Sequence, residues 1–405
     1  MRGKIDKQKV SGVILIALFG IGALGYFVWW LEPKILKPQV LSLEGSTSYD
    51  IGKMYGEKAR NKIQGAATFV ASFEPILRFL GIDLQQKIDS YIPYIPQYLI
   101  EEMNGVADGA GVERKWIYGV NVFPEVFIGI TEKPMECSQF IKTSGTDGDL
   151  GPIFGRTLDF PPDAFIQNFQ VILVINYAGQ VKLIGHTVAG MVGFLTGMND
   201  WGLSVSISMV TTHEVGFGIP VVIGVRNTLQ KNKTVTAAVH YLANETQSLG
   251  WNYALVDKTG NAAVVEVTHN HNNTRWVNTP GEGVNYICAT NVFHSATMAS
   301  YGPVSENSWI RKRTMEYTMN STTQFSLLGA IKLLRNSTNP QWNVWDPSGE
   351  TINRDWKRKN LIPMGSLFAM INVPCHNFSL VASGLPARQP FYAVNFEAEV
   401  VGPVA

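Results

Sequence analysis

Strands joined by tight turns dominate the chain after residue 137 and constrain its fold most strongly. The run FQVILVINY (residues 169–177) is followed by an Ala-Gly turn and then by VKLIG (181–185), a pattern typical of a β-hairpin. YALVD (253–257) and AAVVEVT (262–268) flank a second turn in the same way. Between the hairpins, residues 203–209 alternate apolar side chains with serines, which predicts a strand with one buried face. We therefore expect antiparallel sheet in this part of the chain.

Helix-like spacing of apolar and charged residues marks four other stretches. Residues 45–63 and 82–105 precede residue 137, so the front of the chain is predicted to be mainly helical. Residues 221–242 and 309–335 lie among the strands. Sheets covered by helices are the stable way to combine such elements, and 405 residues with 45% hydrophobic content suffice for one large domain.

The N-terminus predicts a membrane anchor. Residues 11–31 form an uncharged apolar run close to the length of about 20 residues that a helix needs to cross a bilayer. The run ends in Trp29 and Trp30, side chains that favour the membrane interface, so we expect an uncleaved signal anchor, with a cleaved signal peptide as the alternative. Basic residues in the tail (residues 1–10) favour a cytoplasmic N-terminus, which places the rest of the chain in an extracellular or lumenal space.

Charge and cysteine content narrow the function classes. The formal net charge is +1 and the sequence has no long basic run, so it lacks the charge pattern of a nucleic-acid-binding protein. Cys288 and Cys375 are either a disulfide pair or two free thiols, and Cys137 is the third cysteine. The N-x-S/T triplets of a potential glycoprotein are found at Asn232, Asn244, Asn272, Asn320, Asn336 and Asn377.

No cofactor and no metal site is predicted. Asp147 and Asp149 lack the later acidic ligand of a calcium loop, and the sequence there is typical of a hairpin turn. His269 and His271 have no further ligands at metal-binding spacing, which indicates a polar surface loop.

Cys137 has two interpretations that depend on its context. Taken alone, it is a small apolar residue suited to a protein core. An N-terminal cysteine, by contrast, is a nucleophile that needs no histidine, because its own α-amine titrates near ~8 and takes the proton of the thiol. Such an amine arises within a chain only if the thiol first attacks the carbonyl group of the preceding residue, here Glu136, and the resulting ester is hydrolysed.

Short sequence blocks favour the second interpretation. Two blocks precede the cysteine, namely GSTSYDIGKMYGEKAR and EEMNGVADGAGVERKWIYGVNVFPEVF, and the cysteine itself lies in MECSQF. Four blocks follow it: GRTLDF, AGMVGFLTGMNDWGLSVS, CATNVF and ENSWIRKR. In this order the blocks resemble those of the acid ceramidase, penicillin acyl-CoA acyltransferase and bile-salt hydrolase group of N-terminal-nucleophile hydrolases. The resemblance implies an α+β fold, namely a four-layer α/β/β/α sandwich, with Cys137 as the catalytic nucleophile.

The resemblance also assigns roles to individual residues. Arg156 and Asp159 map onto a paired arginine and aspartate that orient the nucleophile. Asn199 and Asn291 map onto side chains that support the oxyanion of the tetrahedral intermediate. Arg311 maps onto an arginine on the substrate side of the site.

Three positions depart from the family pattern. Glu136 stands where a small or apolar residue usually precedes the nucleophile, which predicts slower self-cleavage. Thr157 replaces a frequent asparagine, and Val292 stands where many relatives have histidine. These changes leave the substrate class open.

The expected reaction is attack of Cys137 on a substrate amide carbonyl, followed by release of the acyl group to water. Residues 32–136 and 137–405 would form two fragments that stay associated after cleavage. Proximity to a membrane and the likeness to ceramidases favour a small N-acyl amide, including lipid-like amides, as the substrate.

Three alternatives stay open at this point. An acyltransferase would pass the acyl group to an amine instead of water. A Cys–His hydrolase would use His294 or His376 to activate Cys137 without chain cleavage. A membrane-anchored binding module would have the fold without the chemistry.

Overall fold

Two β-sheets packed face to face form the centre of the protein. The structure is a computed structural model, which describes residues 35–79, 81–131, 136–160, 164–177, 179–335 and 365–404. The anchor predicted at residues 11–31 and the triplet at Asn336 lie outside these ranges. Within them, no single helix has both the length and the apolar composition for a membrane span, although one sharply bent pair of consecutive helices has both when taken together.

The first sheet contains eight strands in the order β1-β4-β5-β6-β7-β8-β9-β10. These strands are β1 (Val40–Gly45), β4 (Gln170–Tyr177), β5 (Lys182–Val188), β6 (Thr196–Asn199), β7 (Leu203–Val210), β8 (Gly250–Asp257), β9 (Ala262–Val267) and β10 (Asn272–Trp276). The hairpins β4–β5 and β8–β9 confirm the two predicted from the sequence. Only the pairing of β1 with β4 is parallel in this sheet as described.

The second sheet contains seven strands in the order β11-β2-β3-β12-β13-β14-β15, all paired antiparallel. These strands are β2 (Glu136–Lys142), β3 (Ile153–Phe160), β11 (Tyr286–Ala289), β12 (Gly365–Val373), β13 (Phe378–Ser383), β14 (Tyr392–Asn395) and β15 (Val400–Val401).

Helices cover both outer faces of the sandwich. Among the described residues they are α1 (Ser48–Lys58), α2 (Arg60–Ser72), α3 (Glu74–Phe79), α4 (Leu84–Asp89), α5 (Gln97–Ala110), α6 (Arg114–Asn121), α7 (Phe123–Thr131), α8 (Ala164–Gln167), α9 (Val221–Lys231), α10 (Val235–Asn244), α11 (Glu306–Ser321) and α12 (Leu327–Leu334). The predicted helical stretches 221–242 and 309–335 each form two helices rather than one.

The period-two alternation of the strands separates the layers. Along β8, Tyr253 packs in the core shared with the front helices, whereas Ala254 joins Ile141 of β2 in a cluster between the sheets. Phe140 of β2 faces the other way, into the cluster formed with α11 and α12. The described residues therefore form four layers, helix, sheet, sheet and helix, as expected from the sequence.

The serine-bearing strand β7 differs from its prediction in one respect. Both of its faces are buried, because the serines point towards the second sheet. Ser206 Oγ accepts from Gln139 Nε2 at 3.0 Å, and Ser208 Oγ donates to the Thr290 carbonyl at 2.9 Å. The sequence alternation therefore separates an apolar helix-facing side from a polar side between the sheets.

The front of the chain is built into this sandwich. It is mainly helical, as predicted, but it also supplies β1, which the sequence analysis missed. Glu102 of α5 forms a bidentate ion pair with Arg226 of α9 (3.2 and 3.0 Å), and both side chains are fully buried. Tyr177 of β4 completes the network by donating to Glu102 Oε2 at 2.6 Å. Strand pairing and a buried ion pair thus join residues before and after Cys137.

Three cysteines are described, and none forms a disulfide. Cys137 and Cys288 are buried, whereas Cys375 is exposed at the turn between β12 and β13. Of the two possibilities left open for Cys288 and Cys375, the structure has the free thiols.

We predict that Glu102→Gln lowers the apparent free energy of unfolding by about 3–5 kcal/mol, because it leaves the Arg226 charge buried without a counterion. Urea titration followed by circular dichroism measures the change. The control is Glu397→Gln, which removes the more exposed pair with Lys182 (2.6 Å) and is expected to cost about 0–1 kcal/mol. Equal losses in the two variants would contradict the role given to the buried pair.

Candidate active site

Cys137 lies at the start of β2, on the face that points between the two sheets. Its side chain is 2% exposed, and in the uncleaved chain its nitrogen is a peptide N–H. Across the ladder Cys137 is opposite Leu158, and Gln139, on the same face, is opposite Arg156. The thiol therefore lies in the interior at one end of the inter-sheet layer.

The guanidinium of Arg156 contacts the thiol directly. Its Nη2 donates to Cys137 Sγ at 3.3 Å and to the Ile207 carbonyl at 3.1 Å. Burial raises the pKa of the Cys137 thiol, and the Arg156 charge opposes that rise; Asp159 raises the pKa and Arg311 lowers it. Because positive charge stabilises the thiolate, Arg156 favours the nucleophilic form of a thiol that burial alone would keep neutral.

Asp159 approaches the site from the other face of β3. It is three residues from Arg156, so the two side chains leave the strand in opposite directions. Its carboxylate accepts from Ser366 Oγ at 2.5 Å and from Thr157 Oγ1 at 3.4 Å, and it stands opposite Glu136 in the ladder. Asp159 is therefore beside the backbone of the Glu136–Cys137 bond, and its charge raises the pKa of the thiol.

Asn291 contacts the Cys137 nitrogen. It follows β11, and its Oδ1 accepts from Cys137 N at 2.8 Å and from Arg311 Nη2 at 3.0 Å. Its Nδ2 donates to the Met209 carbonyl at 2.8 Å. The side chain therefore links β2 of the second sheet with β7 of the first.

Arg311 is buried beneath the start of β2. It is 1% exposed, and from α11 its Nη1 donates to the Cys137 carbonyl and to Ser138 Oγ, the latter at 3.2 Å. Its Nη2 also lies 3.8 Å from Glu136 Oε2. In this structure Arg311 holds the Cys137 backbone, and the substrate-side role expected from its sequence block stays a prediction.

Asn199 is not placed with the other predicted residues. Its Nδ2 donates to the Leu229 and Asn232 carbonyls (both 2.8 Å), and its Oδ1 accepts from Leu203 N at 2.8 Å. Those carbonyls belong to the C-terminal end of α9, where helical acceptors lack intrahelical partners. Because both amide hydrogens are already used there, the geometry offers no basis for the expected support of an oxyanion by Asn199.

Neither candidate histidine forms a hydrogen bond with Cys137 in the described structure. The His294 ring bonds Thr290 Oγ1 at 3.2 Å, and burial holds its pKa well below the usual value. The His376 ring bonds the Asp149 carbonyl at 2.9 Å in an exposed turn. The arrangement that a Cys–His hydrolase requires is therefore not formed by these side chains.

An apolar cavity lies beside the strand pair that holds Cys137. Leu158, opposite Cys137 in the ladder, lines it together with Val188 and Leu367. Half of its wall comes from the helical front segment, through Ala66, Phe69, Val70, Val120, Phe123, Pro124 and Phe127. Its lining suits a hydrocarbon chain.

The sequence analysis missed the polar side chains that surround the site. Gln139, Ser206 and Ser208 form a buried hydrogen-bonded group between the sheets, next to Arg156. The alternating serines of residues 203–209 carry this signal, but alternation alone predicts only one buried face. Glu266, a carboxylate within the apolar run AAVVEVT, was a second such signal.

Three known proteins have partial similarity to this chain. The chain resembles an uncharacterized protein of Archaeoglobus fulgidus at 22% identity, over 56% of this chain and 43% of that protein. The fold resembles a Caenorhabditis elegans N-acylethanolamine-hydrolyzing acid amidase ortholog (18% identity, 59% of this chain and 93% of that one, TM-score 0.41). It also resembles a penicillin V acylase from Agrobacterium tumefaciens (13% identity, 64% and 86%, TM-score 0.42).

The family assignment rests on the sequence. The model for acyl-coenzyme A:6-aminopenicillanic acid acyl-transferase matches residues 144–352, which is just over half of the chain. The match contains Arg156, Asp159, Asn291 and Arg311 and begins shortly after Cys137. The chain belongs to the acyl-coenzyme A:6-aminopenicillanic acid acyl-transferase family.

Proposed function

We propose that the protein cleaves its own chain between Glu136 and Cys137 and then hydrolyses a linear N-acyl amide with Cys137 as the nucleophile. The observation that carries this proposal is the contact of one cysteine with two different groups. Arg156 donates to its sulfur at 3.3 Å, and Asn291 accepts from its nitrogen at 2.8 Å. A buried peptide N–H needs an acceptor in any case, but a core thiol does not need a guanidinium partner, which stabilises a nucleophilic thiolate.

Chain cleavage begins with attack of Cys137 Sγ on the Glu136 carbonyl carbon. The C–N bond breaks as the Cys137 nitrogen takes a proton, which leaves a thioester and a free amine. Water then hydrolyses the thioester, giving the Glu136 carboxylate and the thiol. Arg311 supports this step by holding the Cys137 carbonyl and by lying 3.8 Å from the Glu136 carboxylate.

Amide hydrolysis uses the same atoms in a second cycle. The α-amine of Cys137 takes the thiol proton, and the thiolate attacks the substrate carbonyl. The protonated amine then returns its proton to the departing substrate amine, and water releases the acyl group from the sulfur. Arg156 stabilises the thiolate, Asp159 orients the new terminus, and Asn291 is the proposed support of the oxyanion.

The apolar cavity supports an acyl chain as the substrate group next to the cysteine. Burying a hydrocarbon chain there contributes about 0.8 kcal/mol per methylene, which favours long acyl groups. Since half of the lining belongs to residues before Cys137, the proposal requires that fragments 32–136 and 137–405 stay together. An anchor at residues 11–31, with the catalytic part extracellular or lumenal, would bring amphiphilic amides close to this cavity.

Acyl transfer is the second candidate function, and the family match favours it. In that reaction an amine instead of water would accept the acyl group from Cys137. Product analysis with and without an added amine acceptor separates the two reactions, because only transfer gives a new amide.

Wild-type protein is predicted to appear as two fragments, one of which begins at Cys137, whereas Cys137→Ala is predicted to remain one inactive chain. N-terminal sequencing and intact mass measure both results. The same data show whether residues 11–31 stay on the front fragment, as an uncleaved anchor requires. A fully active wild-type chain that is unbroken between Glu136 and Cys137 would refute the mechanism.

Val188→Trp is predicted to lower kcat/KM for long-chain acyl amides by roughly tenfold or more relative to acetyl amides, because the indole fills the cavity. A series of fluorogenic acyl coumarinamides of increasing chain length provides the measurement. Val239→Trp is the matched control, since Val239 is also partly buried but does not line the cavity. A loss of equal size at every chain length would count against the cavity as the acyl site.

Arg156→Met is predicted to raise the pKa of the Cys137 thiol, because it removes a positive charge that stabilises the thiolate. The thiolate absorbance in the ultraviolet, taken as the difference from Cys137→Ser, should therefore appear at higher pH than in the wild type. The reactivity of the exposed Cys375 is the internal reference and should not change. A thiolate that forms at unchanged or lower pH would contradict the role given to Arg156.

A further inference from the structure

Glu266 is a buried carboxylate on β9 that the proposed reaction does not use. Its side chain is fully buried, and its Oε1 accepts from Arg275 Nε at 2.7 Å. The same oxygen accepts from His294 N at 2.7 Å, and Oε2 accepts from Ser295 N at 3.2 Å and from Ser295 Oγ at 2.6 Å. A buried carboxylate with this many donors fixes the backbone that it contacts.

The backbone that Glu266 contacts begins three residues after Asn291. On both sides of Asn291, Asn252 Nδ2 donates to backbone carbonyls, those of Thr290 and Val292, at 2.8 and 3.0 Å. Arg275 Nη2 donates to the Cys288 carbonyl at 2.9 Å, so the partner of Glu266 holds the segment as well. The stretch 288–295 is therefore fixed by side chains of β8, β9 and β10.

We infer that Glu266 is a positioning residue for Asn291, acting through residues 294 and 295. This inference rests on the proposed function, in which Asn291 must meet the Cys137 nitrogen. That contact, at 2.8 Å, joins the two sheets, and neither residue can adjust freely because both are buried. A displacement of the segment by about 1 Å would be enough to lower the rate by on the order of a hundredfold.

The charge of Glu266 is required for this role, and not only its shape. Two carboxylate oxygens accept from three different residues, Arg275, His294 and Ser295. A glutamine at this position has one acceptor oxygen, and its amide group would point N–H donors at other donors. Glu266→Gln is thus nearly isosteric but loses the contacts that hold the segment.

The chain offers a matched control in Glu282. Its Oε1 also accepts from Arg275, through Nη1 at 2.7 Å, the same distance as the bond of Glu266 to Nε. No bond between Glu282 and residues 290–295 is found in the described structure. Glu282→Gln therefore removes one ion pair of Arg275 without touching the segment.

The test compares Glu266→Gln, Glu282→Gln and Ser295→Ala in the full chain. We expect Glu266→Gln to lower the rate constant of chain cleavage, and kcat for a fluorogenic long-chain acyl coumarinamide, roughly ten- to a hundredfold with KM little changed. Ser295→Ala should give a smaller loss in the same direction, and Glu282→Gln should behave like the wild type. A change in KM with kcat preserved, or wild-type kcat and cleavage in Glu266→Gln, would overturn the inference.

Hydrogen exchange provides a readout that needs no substrate. In Glu266→Gln, but not in Glu282→Gln, the amides of residues 136–138 and 290–295 should exchange faster. Equal exchange in the two variants would overturn the inference. If Glu266→Gln does not fold, Ser295→Ala takes its place, and faster exchange of the same amides is expected in that variant. Full activity in Cys137→Ala would instead overturn the proposed function. The hydrogen-exchange result would still show whether Glu266 fixes residues 290–295.

Discussion

A buried guanidinium joins the pieces of chain that make the site. Arg311 reaches from α11 under the start of β2 and bonds the Cys137 carbonyl, Ser138 and Asn291. A charge in the interior costs free energy unless every donor has a partner, so these contacts constrain one another's geometry. The cysteine is consequently held through its backbone, while its sulfur extends to the opposite side of the strand, where Arg156 lies.

The second constraint is the way in which the front segment and the later strands share one core. Residues before Cys137 supply an edge strand, half of the cavity wall and one partner of a fully buried ion pair. Further buried contacts reinforce this, such as Asn121 to the backbone of residues 190 and 192. The front segment is therefore part of the fold that presents Cys137, and not a separate covering element.

Local sequence patterns predicted what depends on local structure. The hairpins followed from period-two alternation and Gly-containing turns, and the site cluster of Cys137, Arg156 and Asn291 followed from family blocks. Strand β1 was not predicted, because its parallel partner is more than a hundred residues away and local periodicity does not detect such a pairing. The contacts of Asn199 and Arg311 were not predicted for a related reason, since the carbonyls that accept from them come from distant parts of the chain, and the roles expected of these two residues stay predictions.

The parallel pairing of β1 with β4 has a thermodynamic consequence for the cleaved form. Once the backbone is cut, the two polypeptides are held only by non-covalent contacts, so unfolding would let them diffuse apart. Refolding would then be a second-order encounter, and resistance to heat would depend on protein concentration and on the barrier to separation. If the proposed cleavage occurs, the nicked molecule would persist by opening slowly rather than by reassembling readily.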